Sequence, residues 1–240
     1  MGPAAMLVNY SFAYQPIVDV QRRAVQSFEA LVRGPDNQPA SWVFDQLKPS
    51  ELGQFDLDAR LFAVELATQL ELPCRLSLNL LPQSLAQAGS AALRSTVEMA
   101  GCHGLPANQL ELELSERDSI LSMNHFISQI DEFRAQGVRF SIDDFGAGYS
   151  GLNLLAEFQP DQIKLDIALV RDIATHGPRQ AIVRGVLRTC GDLGIDVVAE
   201  GVETLDEYQW LRDEGVGLFQ GYLFARPAFR RLPEVLYPTP

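Results

Sequence analysis

The chain has 240 residues, 47% of them hydrophobic, which is enough to bury one large core. It carries 31 acidic and 19 basic residues and a formal net charge of −12, so it would repel a long polyphosphate such as DNA or RNA. A small phosphate ligand held through metal cations is compatible with this charge. The composition therefore excludes general polynucleotide binding and leaves nucleotide chemistry open.

The three cysteines, Cys74, Cys102 and Cys190, are odd in number and widely spaced, which disfavours a disulfide framework or a structural zinc site. The first residues lack the basic and apolar regions of a signal peptide, and no uninterrupted apolar run reaches the roughly 18 residues of a transmembrane helix. We therefore expect a soluble, cytoplasmic protein with no membrane segment.

Eight short β-rich runs recur along the chain and alternate with helix-like segments. The strands are predicted at residues 14–20, 27–34, 74–80, 109–116, 138–145, 162–167, 196–201 and 218–224. Apolar residues at three-to-four spacing predict helices over 55–72, 91–101, 124–136, 179–193 and 205–214. Gly137, Gly194 and Gly215 each follow a predicted helix, as a C-terminal cap does.

Repeated strand–helix alternation predicts a mainly parallel sheet with crossover helices. Eight strands in this length favour a closed (β/α)8 barrel, with an open doubly wound sheet as the weaker alternative. Because the chain contains no linker, low-complexity tract or sequence repeat, we expect residues 1–240 to form a single domain.

Polar residues interrupt these strands, although parallel strands are covered on both faces and should be nearly all apolar. Glu29 and Arg33 share one face of the second strand, and Glu111 alternates with leucines in the fourth. An exposed antiparallel sheet with one wet face would also produce this alternation. However, the polar residues collect towards the C-terminal ends of the strands, where barrel enzymes carry their catalytic residues.

The strand-end polar residues form a set rich in carboxylates, and this set comprises Glu29, Asn79, Glu113, Asp143, Asp144, Lys164, Glu200 and Gln220. Without cations the carboxylates would repel one another, and several would have to bind protons. Mg2+ or Mn2+ would resolve this conflict, because these ions prefer carboxylate, amide and water oxygens. The three histidines lie away from the strand ends, which disfavours a His-rich zinc site.

Asp143 and Asp144 are adjacent, and in a regular strand their side chains would point to opposite faces. At a strand terminus, however, both can turn towards the barrel mouth, where one could bridge two ions. A two-ion site suits in-line displacement at phosphorus, because the ions lower the pKa of a shared water and neutralise developing charge. Lys164 could position the hydroxide, and Arg33 could hold a non-bridging phosphate oxygen.

Three glycines crowd the segment GAGYSG, at 146–151, directly after the two aspartates. An ordinary turn is one explanation, and the segment is not a Walker loop because the Gly-Lys-Ser/Thr ending is absent. Its position beside the carboxylates favours a loop that bends sharply next to a ligand.

Seven motifs follow one another along the chain: FEALVRG, SLNL, ELSE, IDDFGAGY, DQIKLD, AEGVET and FQGYLF. With these motifs the chain resembles the EAL domain family of bacterial cyclic di-GMP phosphodiesterases over about residues 10–227. The resemblance implies a modified, TIM-like (β/α)8 barrel in which one early strand is antiparallel. It also implies hydrolysis of cyclic di-GMP to linear pGpG by water activated with two Mg2+ or Mn2+ ions.

The resemblance assigns a role to each matching position. The metal ligands implied are Glu29, Asn79, Glu113 and Asp143 for one ion, and Asp144 and Glu200 with a bridging Asp143 for the second. The catalytic residues implied are Lys164, Asp144 and Glu200, the substrate-binding residues Arg33 and Gln220, and the supporting residues Glu116, Asp166 and Glu203.

The glycine-rich segment matches a mobile loop near the dimer interface of the family, with Glu116 as its anchor. The resemblance therefore implies a homodimer through the loop-side face, and either a chain that stands alone or one joined to a sensory or GGDEF domain outside it. Gly34, Ala147 and Gly151 depart from the usual residues of the family, although none of them is an expected metal ligand.

Other interpretations stay open at this point. The chain could be an EAL-like receptor that binds cyclic di-GMP or a protein without useful turnover, or another Mg2+-dependent barrel hydrolase. Single residues also have structural interpretations: a helix N-terminal pair for Glu200 and Glu203, an ion pair for Lys164 and Asp166, and a partner of backbone groups for Gln220. We treat five aromatic residues as core residues rather than base-stacking ones: Phe140, Phe145, Tyr149, Tyr222 and Phe224.

Overall fold

A computed structural model describes residues 8–81, 89–116, 130–148 and 151–238. The strands are β1 Ser11–Asp19, β2 Ala24–Arg33, β3 Arg75–Asn79, β4 Leu110–Ser115, β5 Arg139–Phe145, β6 Gln162–Leu165, β7 Asp196–Ala199, β8 Leu218–Phe219 and β9 Ala228–Phe229. The helices are α1 Ala40–Phe44, α2 Leu52–Gln69, α3 Ser90–Cys102, α4 Gly151–Phe158, α5 Ile167–Val170, α6 Gly177–Leu193 and α7 Leu205–Asp213. Residues 130–134 are also helical, and two 3-10 turns cover Pro49–Glu51 and Ala107–Gln109.

Strands β2 to β8 pair in parallel and in chain order, and β1 lies between β8 and β2, antiparallel to both, so that eight strands close into a barrel. The antiparallel step has a local cause: only residues 20–23 separate β1 from β2, and a parallel connection needs a crossover of about a dozen residues or more. Asp19 Oδ1 closes this turn by accepting from the amides of Gln21 and Arg22 at 3.0 and 2.9 Å. The modified barrel is confirmed, and the open doubly wound sheet is wrong.

Most predicted helices are present, with small changes at their ends. α2 begins at Leu52 rather than at residue 55, and α6 begins at Gly177, with a proline in its first turn where no backbone N–H is needed. Gly137, Gly194 and Gly215 have φ angles of 94°, 72° and 98°, the left-handed conformation of a glycine that ends a helix. The predicted helix at 124–136 lies largely outside the described residues.

The sequence pattern does not predict α1, α4 and α5. These helices have 5, 8 and 4 residues, which is too short for a repeat of the helical period to be recognised. Within the described part of the chain, no helix has both the length and the apolar character needed to cross a membrane.

The buried residues form two zones. Between the strands and the helices the contacts are apolar, as at Leu112, Phe140 and Leu165, which are fully buried. Inside the barrel the strands carry polar side chains at alternate positions, and Glu113 and Lys164 are 1% and 0% exposed. The polar face is therefore enclosed by the barrel, which excludes an exposed antiparallel sheet.

Candidate active site

Lys164 of β6 is fully buried at the mouth of the barrel and is surrounded by acidic side chains. Its Nζ lies 3.2 Å from Glu29 Oε2, 3.0 Å from Glu113 Oε2, 3.1 Å from Asp143 Oδ1 and 2.7 Å from Glu200 Oε1. These carboxylates come from β2, β4, β5 and the residue after β7. We call these five residues the central cluster, in which one lysine charge faces four carboxylates.

Asp143 and Asp144 both reach the barrel mouth because the pairing of β5 with β6 contains a bulge. The register shifts between Ile142 and Phe145, so the two aspartates together oppose the single residue Lys164. Asp144 has a φ angle of 55°, in the left-handed region, where a non-glycine residue is strained by about 1–3 kcal/mol. The bulge removes the alternation that would otherwise send Asp144 to the opposite face of the sheet.

The carboxylates form two overlapping sets, each of which could hold a cation. One oxygen from each of Glu29, Glu113 and Asp143 lies within 4.8 Å of the others, and the same holds for Asp143, Asp144 and Glu200. Asp143 belongs to both sets. Its buried Oδ1 lies near Nζ of the lysine without hydrogen-bond geometry and has no hydrogen-bond partner in the described part of the chain. A hard divalent cation would satisfy this oxygen and offset the excess negative charge.

Three members of the central cluster have shifted pKa values, because they are buried and lie close to one another's charges. Burial raises the pKa of Glu113 and that of Glu200 well above the ordinary value, although the charge of Lys164 acts in the opposite direction. Burial acts to lower the pKa of Lys164, but the surrounding carboxylates outweigh it, and this pKa lies well above the ordinary value. Among these carboxylates Lys164 is therefore held as a cation, which offsets part of their negative charge.

Two amide side chains orient Glu29. Asn79 Nδ2 donates to Glu29 Oε1 at 3.3 Å, and Gln220 Nε2 donates to Glu29 Oε2 at 2.7 Å. Both amides are predicted at the site from the sequence, and the structure brings both to the same carboxylate. Gln220 thus serves a buried side chain of the cluster rather than only backbone groups.

Two further polar residues belong to the site, although they are not among the predicted site residues. Ser77 Oγ donates to Glu113 in a short hydrogen bond, and Gln15 Oε1 accepts from Gln220 Nε2 at 3.4 Å. Ser77 alternates with leucines in β3, so its inward direction could have been read from the pattern. Gln15 lies in an otherwise buried strand and carries no motif that separates it from a structural residue.

Two cavities meet at the central cluster, and Glu29 and Asp143 line both. The larger, of about 360 Å³, has Arg33 in its wall, and we call it the Arg33 cavity. The smaller, of about 280 Å³, is lined by Asp144 and Tyr222 among others, and we call it the Tyr222 cavity. Tyr222 is 47% exposed, so its assignment to the core was wrong.

A buried ion pair between Asp56 and Arg60 of α2 lies in the wall of the Arg33 cavity. Asp56 Oδ1 also accepts from the amide of Leu81, two residues beyond Asn79, at 3.2 Å, and Arg60 Nε donates to Thr96 Oγ1 of α3 at 3.2 Å. The pair therefore ties α2, α3 and the end of β3 together. Its i,i+4 spacing in the sequence is equally typical of exposed helix faces, which hides its buried position.

Asp166 and Glu203 line the Tyr222 cavity but lie outside the central cluster. Asp166 Oδ1 caps α5 by accepting from the amide of Ala168 at 2.7 Å. Glu203 pairs with Arg171 at 2.9 Å, and this hydrogen-bonded pair lowers the pKa of Glu203. Both residues therefore shape the rim of the cavity, as supporting residues would.

Two structural interpretations do not agree with these contacts: the ion pair of Lys164 with Asp166, and the helix N-terminal pair of Glu200 with Glu203. Lys164 pairs with the carboxylates of the central cluster, whereas Asp166 caps a helix. Glu200 is bound to the lysine, and the N-terminus of α7 is capped through Glu207, not by a pair formed with Glu203.

Glu116, just beyond β4, holds the start of the glycine-rich loop. Its Oε2 accepts from the amides of Gly146 and Gly148 at 2.7 and 3.1 Å. A Cβ on Gly148 would lie 2.9 Å from Glu116 Oε1, and one on Gly151 would lie 2.9 Å from the ring of Phe145. The glycines therefore allow close approach of the backbone to these side chains.

The other departures from the family pattern also have a structural setting. The amide of Ala147 donates to the carbonyl of Asp144 at 3.0 Å, a contact that does not depend on the side chain at this position. A Cβ on Gly34 would lie 2.8 Å from the ring of Trp42, so α1 packs its tryptophan where a larger residue would stand. Tyr149, with residue 150, lies outside the described residues.

Among curated proteins, BluF of Escherichia coli, a blue light- and temperature-regulated antirepressor, is 36% identical over 96% of this chain and 57% of its own length. The cyclic di-GMP phosphodiesterase NbdA of Pseudomonas aeruginosa is 34% identical over 89% of this chain and 28% of its own length. This chain thus spans less than two thirds of the length of these relatives.

Solved structures include BlrP1 of Klebsiella pneumoniae in a manganese and cyclic di-GMP complex, with 44% identity, a TM-score of 0.87 and coverage of 92% of this chain and 56% of that one. A standalone EAL protein of Vibrio cholerae with bound cyclic di-GMP has 37% identity, a TM-score of 0.89 and coverage of 95% and 96%. The EAL domain family itself matches residues 7–227. With its ordered motifs, its modified barrel and this match, the chain belongs to the EAL domain family.

Proposed function

We propose that this chain is a metal-dependent phosphodiesterase that hydrolyses one phosphodiester bond of cyclic di-GMP and releases linear pGpG. The observation that carries this proposal is the pair of carboxylate sets that share Asp143. Two joined sets suit in-line displacement at phosphorus, which needs charge neutralised at both the attacking and the leaving oxygen. The substrate is supported by relatives, because NbdA is named a cyclic di-GMP phosphodiesterase and the solved neighbours hold cyclic di-GMP.

The chain's own residues would hold the two cations in overlapping sets. The first set is Glu29, Asn79, Glu113 and Asp143, and the second is Asp143, Asp144 and Glu200. Bound Mg2+ or Mn2+ would lower the pKa of a water molecule and neutralise charge on the phosphoryl oxygens. The protein contributes by holding the carboxylates together in a buried site, where electrostatic interactions are stronger than in water.

Lys164 would orient the attacking water by donating a hydrogen bond from Nζ, which lies beside the carboxylates of both sets. The proton that the water loses would pass to a carboxylate. Asp144 and Glu200 are the candidates, since both line the Tyr222 cavity beside the lysine. The bulge in β5 keeps the first of these at a defined position.

Arg33 would bind a non-bridging phosphate oxygen of the substrate. It lines the same cavity as Glu29, and its Nη1 donates to the carbonyl of Val32 at 2.8 Å, which orients the guanidinium. Arginine matches the geometry of a phosphate group well. Gln220 would support binding by holding Glu29 in place.

A chromatographic assay of cyclic di-GMP with Mg2+ or Mn2+, beside an EDTA control, tests this proposal. We expect pGpG to appear only with added metal and to vanish in Glu29→Ala, because Glu29 belongs to the first carboxylate set. Glu98→Ala, on the exposed face of α3, is the matched control and should keep full activity. Turnover that persists in EDTA or in Glu29→Ala would contradict the metal assignment.

A receptor without useful turnover is the second candidate. BluF favours it, because this relative is named an antirepressor and is 36% identical over 96% of the chain. The same assay separates the two candidates when it is paired with calorimetry: a receptor would bind cyclic di-GMP without releasing pGpG. The complete pair of carboxylate sets favours the enzyme.

We also propose a homodimer through the face formed by the glycine-rich loop, α4 and α6. Leu152 and Ile182 expose 65% and 52% of their surface there, beside a cavity of about 710 Å³. Burying this apolar surface against a second copy would be favourable, by roughly 25 cal/mol per Å². Light scattering should give the mass of a dimer, and Ile182→Asp should shift it to that of a monomer. A monomeric wild-type protein at assay concentration would refute the dimer.

Two further proposals concern the setting of the chain. BluF is longer than this chain, which fits a sensory or GGDEF domain joined to it in the whole protein. The cytoplasm is the proposed compartment, because Cys74, Cys102 and Cys190 are free thiols, as is typical of reducing environments.

A further inference from the structure

Glu207, in the first turn of α7, is a buried acidic residue outside the central cluster, with 2% of its surface exposed. Its Oε2 accepts from the amides of Glu203 and Thr204, and its Oε1 accepts from the amide of Asp172, all at 3.0 Å. Burial acts to raise the pKa of Glu207, but these amide donors outweigh it and lower the pKa. Three backbone groups therefore hold the side chain as a carboxylate, and neither carboxylate set includes it.

The two oxygens of Glu207 serve two different segments: the β7–α7 loop, residues 200–204, and the β6–α6 connection, residues 166–176. The Oε2 contacts belong to a capping box, in which Thr204 Oγ1 accepts from the amide of Glu207 at 3.3 Å. A capping box does not account for Oε1, which binds Asp172, 35 residues away in the chain. Asp172 has a φ angle of 55°, a conformation that persists in a non-glycine residue only where other contacts hold it. Glu207 therefore bridges the two segments as well as capping a helix.

The two bridged segments form one wall of the Tyr222 cavity. The residues that they contribute to this wall are Asp166, Ile167, Glu200, Gly201 and Glu203. The segments also pack directly on each other, since a Cβ on Gly201 would lie 2.6 Å from the side chain of Ile167. Because the bridge joins their backbones, it limits how far the segments can move apart.

We propose that Glu207 is a positioning residue that fixes the β7–α7 loop against the β6–α6 connection and thereby holds Glu200 in place for the second cation. This inference rests on the proposed function, because Glu200 belongs to the second carboxylate set. Glu200 begins the loop that Oε2 of Glu207 anchors, and its carboxylate lies 2.7 Å from Nζ of Lys164. Residues that orient metal ligands contribute about 10- to 100-fold to metal affinity or activity. Loss of the bridge should therefore weaken cation binding and lower kcat.

Two variants separate the bridge from the helix cap. Glu207→Ala removes both, so we expect its kcat with cyclic di-GMP and Mn2+ to fall about 10- to 100-fold. Glu207→Gln keeps one oxygen for the capping box, which accepts glutamine at this position, but its amide nitrogen cannot accept from the amide of Asp172. Its kcat should still fall about tenfold or more. Calorimetry without nucleotide should show Mn2+ binding about tenfold more weakly to both variants than to the wild type.

Hydrogen exchange at single amides reports the bridge without any catalytic readout. The amide of Asp172 should exchange faster in both variants, whereas those of Glu203 and Thr204 should exchange faster only in Glu207→Ala. Asp206→Ala is the matched control, because Asp206 is the neighbouring acidic residue in the first turn of α7 and is exposed. It should leave kcat, Mn2+ affinity and the exchange of Asp172 unchanged.

The outcomes separate this inference from the proposed function. Turnover by the wild type tests the function, whereas Mn2+ affinity and the exchange of Asp172 test the bridge also when no pGpG is released. Wild-type kcat and Mn2+ affinity in Glu207→Gln would overturn the inference and leave Glu207 as a helix cap alone. Faster exchange at Asp172 with unchanged Mn2+ affinity would overturn it as well, because the bridge would then not control Glu200. If Glu207→Ala does not fold, Glu207→Gln decides between these results.

Discussion

Lys164→Met should destabilise the metal-free protein and make its stability depend on divalent cations. Nζ of this lysine lies between 2.7 and 3.2 Å from four carboxylate oxygens, and the side chain is 0% exposed. Removing one partner of a buried ion pair costs about 3–5 kcal/mol, because uncompensated charge stays behind. The side chains of Asp143 and Glu200 are 18% and 16% exposed and keep some hydration. We therefore expect the free energy of unfolding to fall by about 3 kcal/mol, the lower limit of that range.

Urea unfolding measured in EDTA and in Mn2+ checks this magnitude. A cation present at about 100 times its dissociation constant adds about 2.7 kcal/mol to the free energy of unfolding. At the same Mn2+ concentration, the free energy of unfolding should rise more for the variant than for the wild type, because the cation replaces the missing lysine charge. The variant should not hydrolyse cyclic di-GMP even with Mn2+, since it lacks the residue that we propose orients the water.

Lys48→Met is the control, because the side chain of Lys48 is 80% exposed and stands 3.9 Å from Glu51. Its unfolding free energy should change by less than about 0.5 kcal/mol in either buffer. Two results would refute the reasoning: a Lys164→Met protein as stable as the wild type in EDTA, or an equal Mn2+ stabilisation of both proteins.

Glu116→Ala removes the carboxylate that accepts from two loop amides, so kcat should fall about tenfold and those amides should exchange hydrogen faster, while unaltered kinetics and exchange would contradict this. Arg60→Met leaves a buried carboxylate without its partner and should lower the unfolding free energy by about 3–5 kcal/mol in urea, and a change below about 1 kcal/mol would show that the pair is dispensable. Burial raises the pKa of Cys74 to about 12 and that of Cys190 to about 11, so at pH 8 both stay protonated and iodoacetamide should modify exposed Cys102 first. Labelling of Cys74 and Cys190 should accelerate as the pH rises, and equal labelling of all three thiols at pH 8 would disagree with this order.

The barrel could be predicted from the sequence because its signals are local. Gly137, Gly194 and Gly215 each precede a strand by two or three residues, and all three adopt the expected left-handed conformation. The antiparallel β1 came only from the family resemblance. Its physical cause was nevertheless present in the sequence, because the four residues between β1 and β2 are too few for a crossover.

The site was predictable to the extent that the C-terminal ends of parallel strands meet at one end of a barrel. That rule places Glu29 and Glu113 together without knowledge of their contacts. The ion pair of Asp56 with Arg60 could not be found in this way, because the same spacing occurs on exposed helices and its burial depends on how α2 packs on β3 and α3. Tyr222 was missed for the opposite reason, since aromatic residues beside a strand are usually buried and its exposure is set by the loop after β8.

Asp143 and Asp144 are joined by a single peptide unit within the β5 bulge, so their Cα atoms stand about 3.8 Å apart. Glu29 and Glu113 approach from β2 and β4, and each is held by two hydrogen-bond donors: Asn79 and Gln220 for the first, Ser77 and Lys164 for the second. Mg2+ requires oxygens at about 2.0–2.1 Å and Ca2+ at about 2.3–2.6 Å. A cation bound here would therefore meet oxygens that the barrel has already positioned, and the barrel would limit the range of ionic radii that the site accepts.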